Sequence, residues 1–256
     1  MDLEYVRQLI WLGGIAGVIP IYIGIAAALL AVKVSSRSWE GFLTGISTGI
    51  LVYLFFDLMH EAVEQTTAQD PLSWLVFLGS VLIGFVGLVA LEQQQQGRNR
   101  SESFAGLFLP YIISLGLGLH NLGEGLAIGT SYAQGAWNLS GLLVGGFALH
   151  NGTEGFAIVA SAGKSRLPLK EAALMGLVAG APTCLGAVIS GLVVSHYFSI
   201  TFYALAAGSL LYVIFSLVTI FYTATRRMQT ATGVFAGLSL MYVTAMLLTI
   251  VTGIKS

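Results

Sequence analysis

The sequence predicts an all-α integral membrane protein with eight transmembrane helices in a 3+2+3 inverted-repeat arrangement and both termini outside. The first observation is composition. Of the 256 residues, 56% are hydrophobic and only 9% are charged, and the mean hydropathy is +0.85. These values lie far from those of an average soluble domain. The other two observations are a series of long apolar windows and the confinement of cations to alternate connections.

The apolar windows predict the spans, because a hydrocarbon core about 30 Å thick takes about 20 helical residues to cross. Windows of this length lie at about 9–32, 39–62, 72–91, 104–130, 140–162, 170–194, 199–222 and 229–254. We expect them to form a single transmembrane domain over residues 1–256. A glutamine tract and the polar residues after it predict a cytoplasmic loop at about 92–103, after span 3.

The lysines and arginines predict the orientation, because cations near span ends are retained on the cytoplasmic side. Nine of the eleven lie in the connections after spans 1, 3, 5 and 7: Lys33, Arg37, Arg98, Arg100, Lys164, Arg166, Lys170, Arg226 and Arg227. The other connections and both termini are therefore expected outside. We expect a multi-pass protein of the plasma or inner membrane. The net charge of −1 gives no indication of a nucleic-acid partner.

Spans 4 and 5 carry the same polar pattern inside apolar sequence. The stretch "HNLGEGLAIG" begins at His120, and "HNGTEGFAIV" begins at His150. Residues four apart share a helix face, so each histidine projects beside the glutamate that follows it. Each asparagine lies about 100° around the helix, at the edge of the same cavity. The six candidate site residues are His120, Asn121, Glu124, His150, Asn151 and Glu154.

The two copies lie in successive spans, which run antiparallel. An approximate two-fold axis in the membrane plane would therefore relate them, and their polar residues would meet near mid-membrane, where inverted-repeat transporters bind substrate. A weaker similarity relates span 2 from Ser47 to span 7 from Ala206. Both similarities fit outer triplets of spans that flank the central pair.

Burying these groups has a cost that favours a metal ion. An ionisable side chain at the bilayer centre costs roughly 3 kcal/mol on insertion scales. A divalent cation would compensate for it, since imidazole and carboxylate are ligands of Zn²⁺, Fe²⁺ and Mn²⁺. The alternative is a metal-free hydrogen-bonded network between helices. Duplication of the whole set favours the metal.

At these residues the sequence resembles the ZIP (Zrt-, Irt-like protein) family of metal-ion transporters, as a divergent member of its GufA-like prokaryotic branch. Proteins of that branch carry His-Asn-x-Pro-Glu-Gly in spans 4 and 5, and the resemblance covers essentially the whole chain. It implies a main metal site at His120, Glu124, His150 and Glu154, with Asn121 and Asn151 serving a neighbouring second site. It also implies a homodimer, in which spans 1, 4, 5 and 6 move against spans 2, 3, 7 and 8.

The chain departs from that family pattern at several positions. Gly123 and Thr153 stand where relatives have proline, and Ala181 precedes Pro182 where relatives have glutamate. Span 7 has Ser216 or Leu217 where relatives often have an acid. These differences predict one well-supplied metal site rather than two.

Two further groups are candidate accessory residues. Asp57, His60, Glu61 and Glu64 stand at spacings of three and four at the outer end of span 2. They fit either a funnel that concentrates cations or a solvated helix end. Cys184 follows Pro182 and could supply a thiolate to a softer metal, or serve packing alone.

We therefore expect a transporter that moves a divalent transition metal into the cytoplasm by alternating access, rather than an enzyme. Zinc is the first expectation for the transported ion, with Fe²⁺, Mn²⁺ or Cd²⁺ as alternatives, since ligand type alone does not separate them. Two other functions stay open. One is a metal-binding membrane sensor without fast flux, and the other is an intramembrane metalloenzyme, which would need an open coordination position and a general base.

Overall fold

The computed structural model describes residues 2–34, 40–96, 102–162, 167–190, 196–221 and 227–252, which are almost entirely helical and contain no β-strand. Helix α1 (Leu3–Gly13) continues through a π-helical turn (Gly14–Val18) into α2 (Ile19–Val34). The helices that follow are α3 (Glu40–Glu64), α4 (Pro71–Gln96), α5 (Glu102–Ala133), α6 (Trp137–Ser161), α7 (Leu169–Ile189), α8 (His196–Phe221) and α9 (Arg227–Thr252). The predicted all-helical class is confirmed.

Six helical segments in the described part of the chain are long and apolar enough to cross a membrane. They are Leu3–Ala31, Gly41–Glu64, Pro71–Gln94, Leu169–Ile189, His196–Thr219 and Arg227–Leu247. Helices α5 and α6, with 32 and 25 residues, are long enough but are not among the six. These two carry the repeated polar pattern and many glycines, which lower their hydropathy. The six segments indicate a multi-pass membrane protein.

The connection after α4 is shorter than the loop predicted at about 92–103. Helix α4 extends to Gln96, and α5 begins at Glu102. Glutamine and glutamate are good helix formers, so the tract prolongs the helix instead of starting a loop. Residues 97–101 lie outside the described ranges, as do the last residues of the predicted windows 170–194, 199–222 and 229–254. Many cations behind the orientation also lie outside them: Arg37, Arg98, Arg100, Lys164, Arg166 and Arg226.

The helices pack as two groups. The first group contains the central pair, α5 and α6, which contact each other, with α7 packed along α5 and α2 packed along α6. In the other group, α3 packs against both α8 and α9, and α4 packs against α8. Contacts of α5 with α8 and of α3 with α6 join the groups. A buried apolar cluster that includes Ile113, Leu117, Met175 and Leu210 fills the space between them.

Two equivalent glycines allow the central pair to lie close to its neighbours. A Cβ atom added to Gly125 on α5 would lie 2.1 Å from the carbonyl oxygen of Thr183 on α7. A Cβ atom added to Gly155 on α6 would lie 2.4 Å from the amide nitrogen of Ile25 on α2. Small residues allow such backbone contact between membrane helices. The glycine that follows each glutamate of the pattern therefore fixes where α7 and α2 pack.

We expect the substitution Gly155→Ala to destabilise the fold by about 1–3 kcal/mol, because the new methyl group overlaps the α2 backbone. Gly145→Ala, on the same helix, is the matched control, since no heavy atom lies within 4 Å of its added Cβ. Thermal unfolding in detergent should show a lower midpoint for Gly155→Ala only. Equal midpoints for the two variants would contradict the close approach.

Candidate metal centre

The interface of α5 and α6 brings the two copies of the polar pattern together. The rings of His120 and His150 have their centroids 5.9 Å apart. Asn121, Asn151 and Glu154 are fully buried, and His120 and Glu124 expose only 5% and 4% of their surface. The structure thus places all six predicted residues in one centre at the core of the helix bundle.

Glu124 is shared between the two copies. Its Oε1 atom lies 3.2 Å from Nε2 of His120 on the same helix and hydrogen bonds with Nε2 of His150 on α6. Its Oε2 atom accepts a hydrogen bond of 2.7 Å from the side-chain amide of Asn151. One carboxylate therefore contacts three polar side chains.

Glu154 has a looser environment than its counterpart Glu124. Its Oε2 atom accepts a hydrogen bond of 3.0 Å from the side-chain amide of Asn121. Its Oε1 atom lies 3.9 Å from Nε2 of His120 and has no hydrogen-bond partner. Both ring nitrogens of His120 also lack a hydrogen bond, although Nε2 lies 3.2 Å from the Glu124 carboxylate, and so do the side-chain oxygens of Asn121 and Asn151. Buried polar atoms without partners are rare in native structures, so this set requires an explanation.

The geometry of the centre suits a metal ion. One ligand atom each from His120, Glu124 and His150 lie within 4.8 Å of one another. Zinc binds imidazole nitrogen and carboxylate oxygen at about 2.0–2.2 Å and usually takes four ligands, so atoms this close can surround one ion. The unpartnered Oε1 of Glu154 lies next to this group and could supply a fourth ligand.

The asparagines also bind backbone on both sides of the central pair, which sequence reasoning missed. The Asn121 amide donates to the carbonyl oxygen of Ala179 on α7, and the Asn151 amide donates to that of Ala16 in the π-helical turn, both at 3.0 Å. Pro20 lacks the amide hydrogen that would otherwise bond to Ala16 in a regular helix. A signal did exist, because "GGIAG" at 13–17 matches "GLVAG" at 176–180.

Three residues that depart from the family pattern, Gly123, Thr153 and Ser216, contact neighbouring groups in the structure. A Cβ atom at Gly123 would lie 2.7 Å from the Tyr203 ring on α8, so this site lets the ring approach α5. The Thr153 hydroxyl donates to the carbonyl of His150, and that of Ser216 to the carbonyl of Tyr212. None of these contacts adds a charge to the centre.

The accessory candidates are not part of the buried centre, although Asp57 lies near enough to interact electrostatically with His120. Asp57, His60, Glu61 and Glu64 are exposed on α3, and only His60 and Glu64 form an ion pair, at 3.3 Å. Cys184 is half-buried, and its thiol donates to the carbonyl of Ile10 on α1 at 3.5 Å. Within the described ranges, the group of residues able to hold a metal includes none of these five.

Comparison with known proteins gives one informative similarity. No family model matches the chain. A protein of Arabidopsis thaliana named "Putative zinc transporter" is 28% identical over an alignment of 156 residues, which covers 59% of this chain. The chain is thus similar to a protein that is named as a zinc transporter. The chain spans only about a quarter of that relative, since the aligned part is 24% of the relative's length. Membership of the ZIP family and its GufA-like branch stays a prediction.

We expect Glu124→Ala to lower the stability of the metal-free protein, because it removes the carboxylate to which His150 and Asn151 hydrogen bond. Each buried donor left unsatisfied costs about 1–3 kcal/mol. Glu64→Ala is the control, since it removes an exposed ion pair, and such pairs contribute little. Unfolding in detergent with a chelator should separate the two variants by several degrees. A Glu124→Ala protein as stable as the control would show that the network does not support the fold.

Proposed function

We propose that this protein transports a divalent transition-metal cation, with zinc as the main substrate, through the centre between α5 and α6. The observation that carries the proposal is the buried group of His120, Glu124 and His150, whose ligand atoms lie within 4.8 Å of one another. The similarity to a protein named as a zinc transporter supports the same function.

The unpartnered atoms favour a metal over a purely structural network. A structural network buried this deeply would satisfy its members, because an unpaired polar group costs more where the dielectric constant is low. Here Nδ1 of His120, one oxygen of Glu154 and the side-chain oxygens of both asparagines have no hydrogen-bond partner, and Nε2 of His120 lies 3.2 Å from the Glu124 carboxylate. A cation bound between the imidazoles and carboxylates would take one ring nitrogen of His120 and the unpartnered oxygen of Glu154 as ligands, and it would neutralise the glutamates.

The ligand chemistry limits the substrate to a small group of ions. Imidazole with carboxylate suits Zn²⁺, Fe²⁺ and Mn²⁺, and affinity alone does not select among them. Cd²⁺ is a further candidate, and the name of the similar protein favours zinc. Protons compete with the metal for histidine and glutamate, so the ion can be bound on one side and released on the other.

We further propose eight spans, α5 and α6 included, in the 3+2+3 inverted repeat. The packing supports this pairing of elements. The proposed two-fold axis would exchange α5 with α6, and the α1–α2 unit with α7. It would thereby relate the α5–α7 contact to the α6–α2 contact. If it also exchanges α3 with α8 and α4 with α9, the α3–α9 contact becomes the α8–α4 contact. All four contacts are extensive.

Alternating access then places the movement between the two helix groups, with metal entering from outside and leaving to the cytoplasm. On the proposed orientation, two hydrogen bonds join α2 and α5 to α7 near the cytoplasmic end of the first group. The Tyr22 hydroxyl on α2 donates to the carbonyl of Ala173 at 2.6 Å, and the Tyr111 hydroxyl on α5 donates to Glu171. A homodimer in the plasma or inner membrane completes the proposal.

The proposal is tested by uptake of radioactive zinc into proteoliposomes, with Fe²⁺, Mn²⁺ and Cd²⁺ as competitors. We expect saturable flux for the wild type and background flux for the double variant Glu124→Ala, Glu154→Ala, because the ion would lose both carboxylates. The variant His60→Ala is the control, since its side chain is exposed and paired only with Glu64. It should retain flux close to the wild-type rate.

The possible outcomes separate the competing functions. Undiminished flux in a normally inserted double variant would contradict the proposed route. Zinc binding by the wild type without flux would indicate a metal-binding sensor. Metal-dependent turnover of a peptide or lipid by the purified protein would indicate an enzyme.

A further inference from the structure

We propose that a cavity at the outer end of α1 binds the headgroup of a zwitterionic phospholipid, with its phosphate on Arg7 and its ammonium group against Glu4. The cavity has a volume of about 430 Å³, within the range of small-molecule sites, which is about 300–1,000 Å³. It is lined by Glu4, Arg7, Gln8, Trp11 and Leu12 of α1 and by Tyr132 of α5. None of these residues belongs to the metal centre.

The cavity lies where the polar end of α1 meets an exposed apolar strip. Trp11 lines the cavity and is followed, at a spacing of four, by Ile15, Ile19 and Ile23. These four side chains expose 62%, 44%, 47% and 63% of their surface. In a membrane-spanning segment such a strip faces the hydrocarbon of the bilayer. A ligand that fills the cavity and continues along the strip is therefore an amphiphile, with a polar head and an apolar chain.

The charges in the cavity are balanced and lie side by side. A terminal guanidinium nitrogen of Arg7 lies 2.6 Å from Oε1 of Glu4, and both side chains are exposed. Guanidinium has five N–H donors and carboxylate has two oxygens, so this single contact leaves groups on both partners for a ligand. Phosphate pairs well with guanidinium. An anionic headgroup would be repelled by Glu4, and a metal cation by Arg7, whereas a zwitterionic headgroup matches both charges.

Aromatic rings form the rest of the wall. The hydroxyl group of Tyr132 donates to the side-chain oxygen of Gln8, which ties α5 to α1. The ring of Tyr132 lies 5.5 Å, between centroids, from the rings of both Tyr5 and Trp137. It is therefore held in place at the edge of the cavity. Aromatic faces attract ammonium groups, and tyrosine and tryptophan are enriched where headgroups meet hydrocarbon.

The headgroup is tested by native mass spectrometry of the full wild-type chain in detergent, freed of lipid and then titrated. The two probes are phosphatidylethanolamine and phosphatidylglycerol with the same acyl chains. We expect one bound phosphatidylethanolamine, retained about tenfold more tightly than phosphatidylglycerol, because the latter places a net negative charge beside Glu4. Equal retention of the two lipids, or tighter retention of phosphatidylglycerol, would overturn the proposal.

The location is tested by two variants and a control. Arg7→Gln should weaken phosphatidylethanolamine binding by about tenfold, because a hydrogen bond between charged groups is lost. Glu4→Gln should reduce the preference for phosphatidylethanolamine over phosphatidylglycerol. Lys170→Gln removes an exposed cation from α7 and should change neither quantity. Unchanged binding in Arg7→Gln, or an equal loss in Lys170→Gln, would place the lipid elsewhere and overturn the proposal.

The variants are expected to fold, since exposed ion pairs contribute little to stability. Their unfolding midpoints in lipid-free detergent check this. The wild-type comparison of the two lipids needs no variant, so it decides the headgroup even where a variant does not fold.

A third probe separates a lipid from a soluble ligand with the same head. Glycerophosphoethanolamine carries the phosphate and the ammonium group but has no acyl chains. We expect it to bind at least about tenfold more weakly than the lipid, because it cannot cover the apolar strip below the cavity. Equal binding would identify a soluble ligand and overturn the assignment to a phospholipid.

Discussion

The carboxylate of Glu124 is the interaction on which the arrangement of the centre depends. It contacts the imidazole of its own helix, the imidazole of the facing helix and the facing asparagine amide. These contacts require α5 and α6 to lie side by side with their patterns opposed. The glycines Gly125 and Gly155 then bring α7 and α2 against the outer faces of the pair. The relative positions of α5, α6, α7 and α2 therefore depend on the contacts of Glu124 and on these two glycines, which have no side chain.

The two glutamates are equivalent in sequence but not in environment. Glu124 has partners for both oxygens, whereas Glu154 keeps one oxygen without a hydrogen-bond partner beside His120, whose Nδ1 atom also lacks one. An interior that excludes water makes such unpaired groups costly. A divalent cation would join them into one coordinated set, and its bound charge would offset the carboxylates. This asymmetry makes a metal-binding centre a better account than a self-contained structural network.

Part of this arrangement could be predicted from sequence. The spacing of His120 and Glu124 and its copy at His150 gave the residues of the centre, because side chains four apart share a helix face. The backbone partners Ala16 and Ala179 do not follow from this spacing, since every residue has a carbonyl group, and the matching stretches at 13–17 and 176–180 became a signal only once the helix packing was known. The predicted loop at about 92–103 also missed the last residues of α4, which extends to Gln96. A polar tract is typical of a loop, but glutamine favours helix.

The most direct test of the account is anomalous diffraction at the zinc edge from crystals grown with zinc. We expect one strong peak at about 2.0–2.2 Å from ligand atoms of His120, Glu124 and His150, the usual distance for zinc with nitrogen and oxygen. A peak confined to the exposed acids Asp57 and Glu61, or no peak in the centre at saturating zinc, would contradict the claim that the repeated pattern forms a metal site.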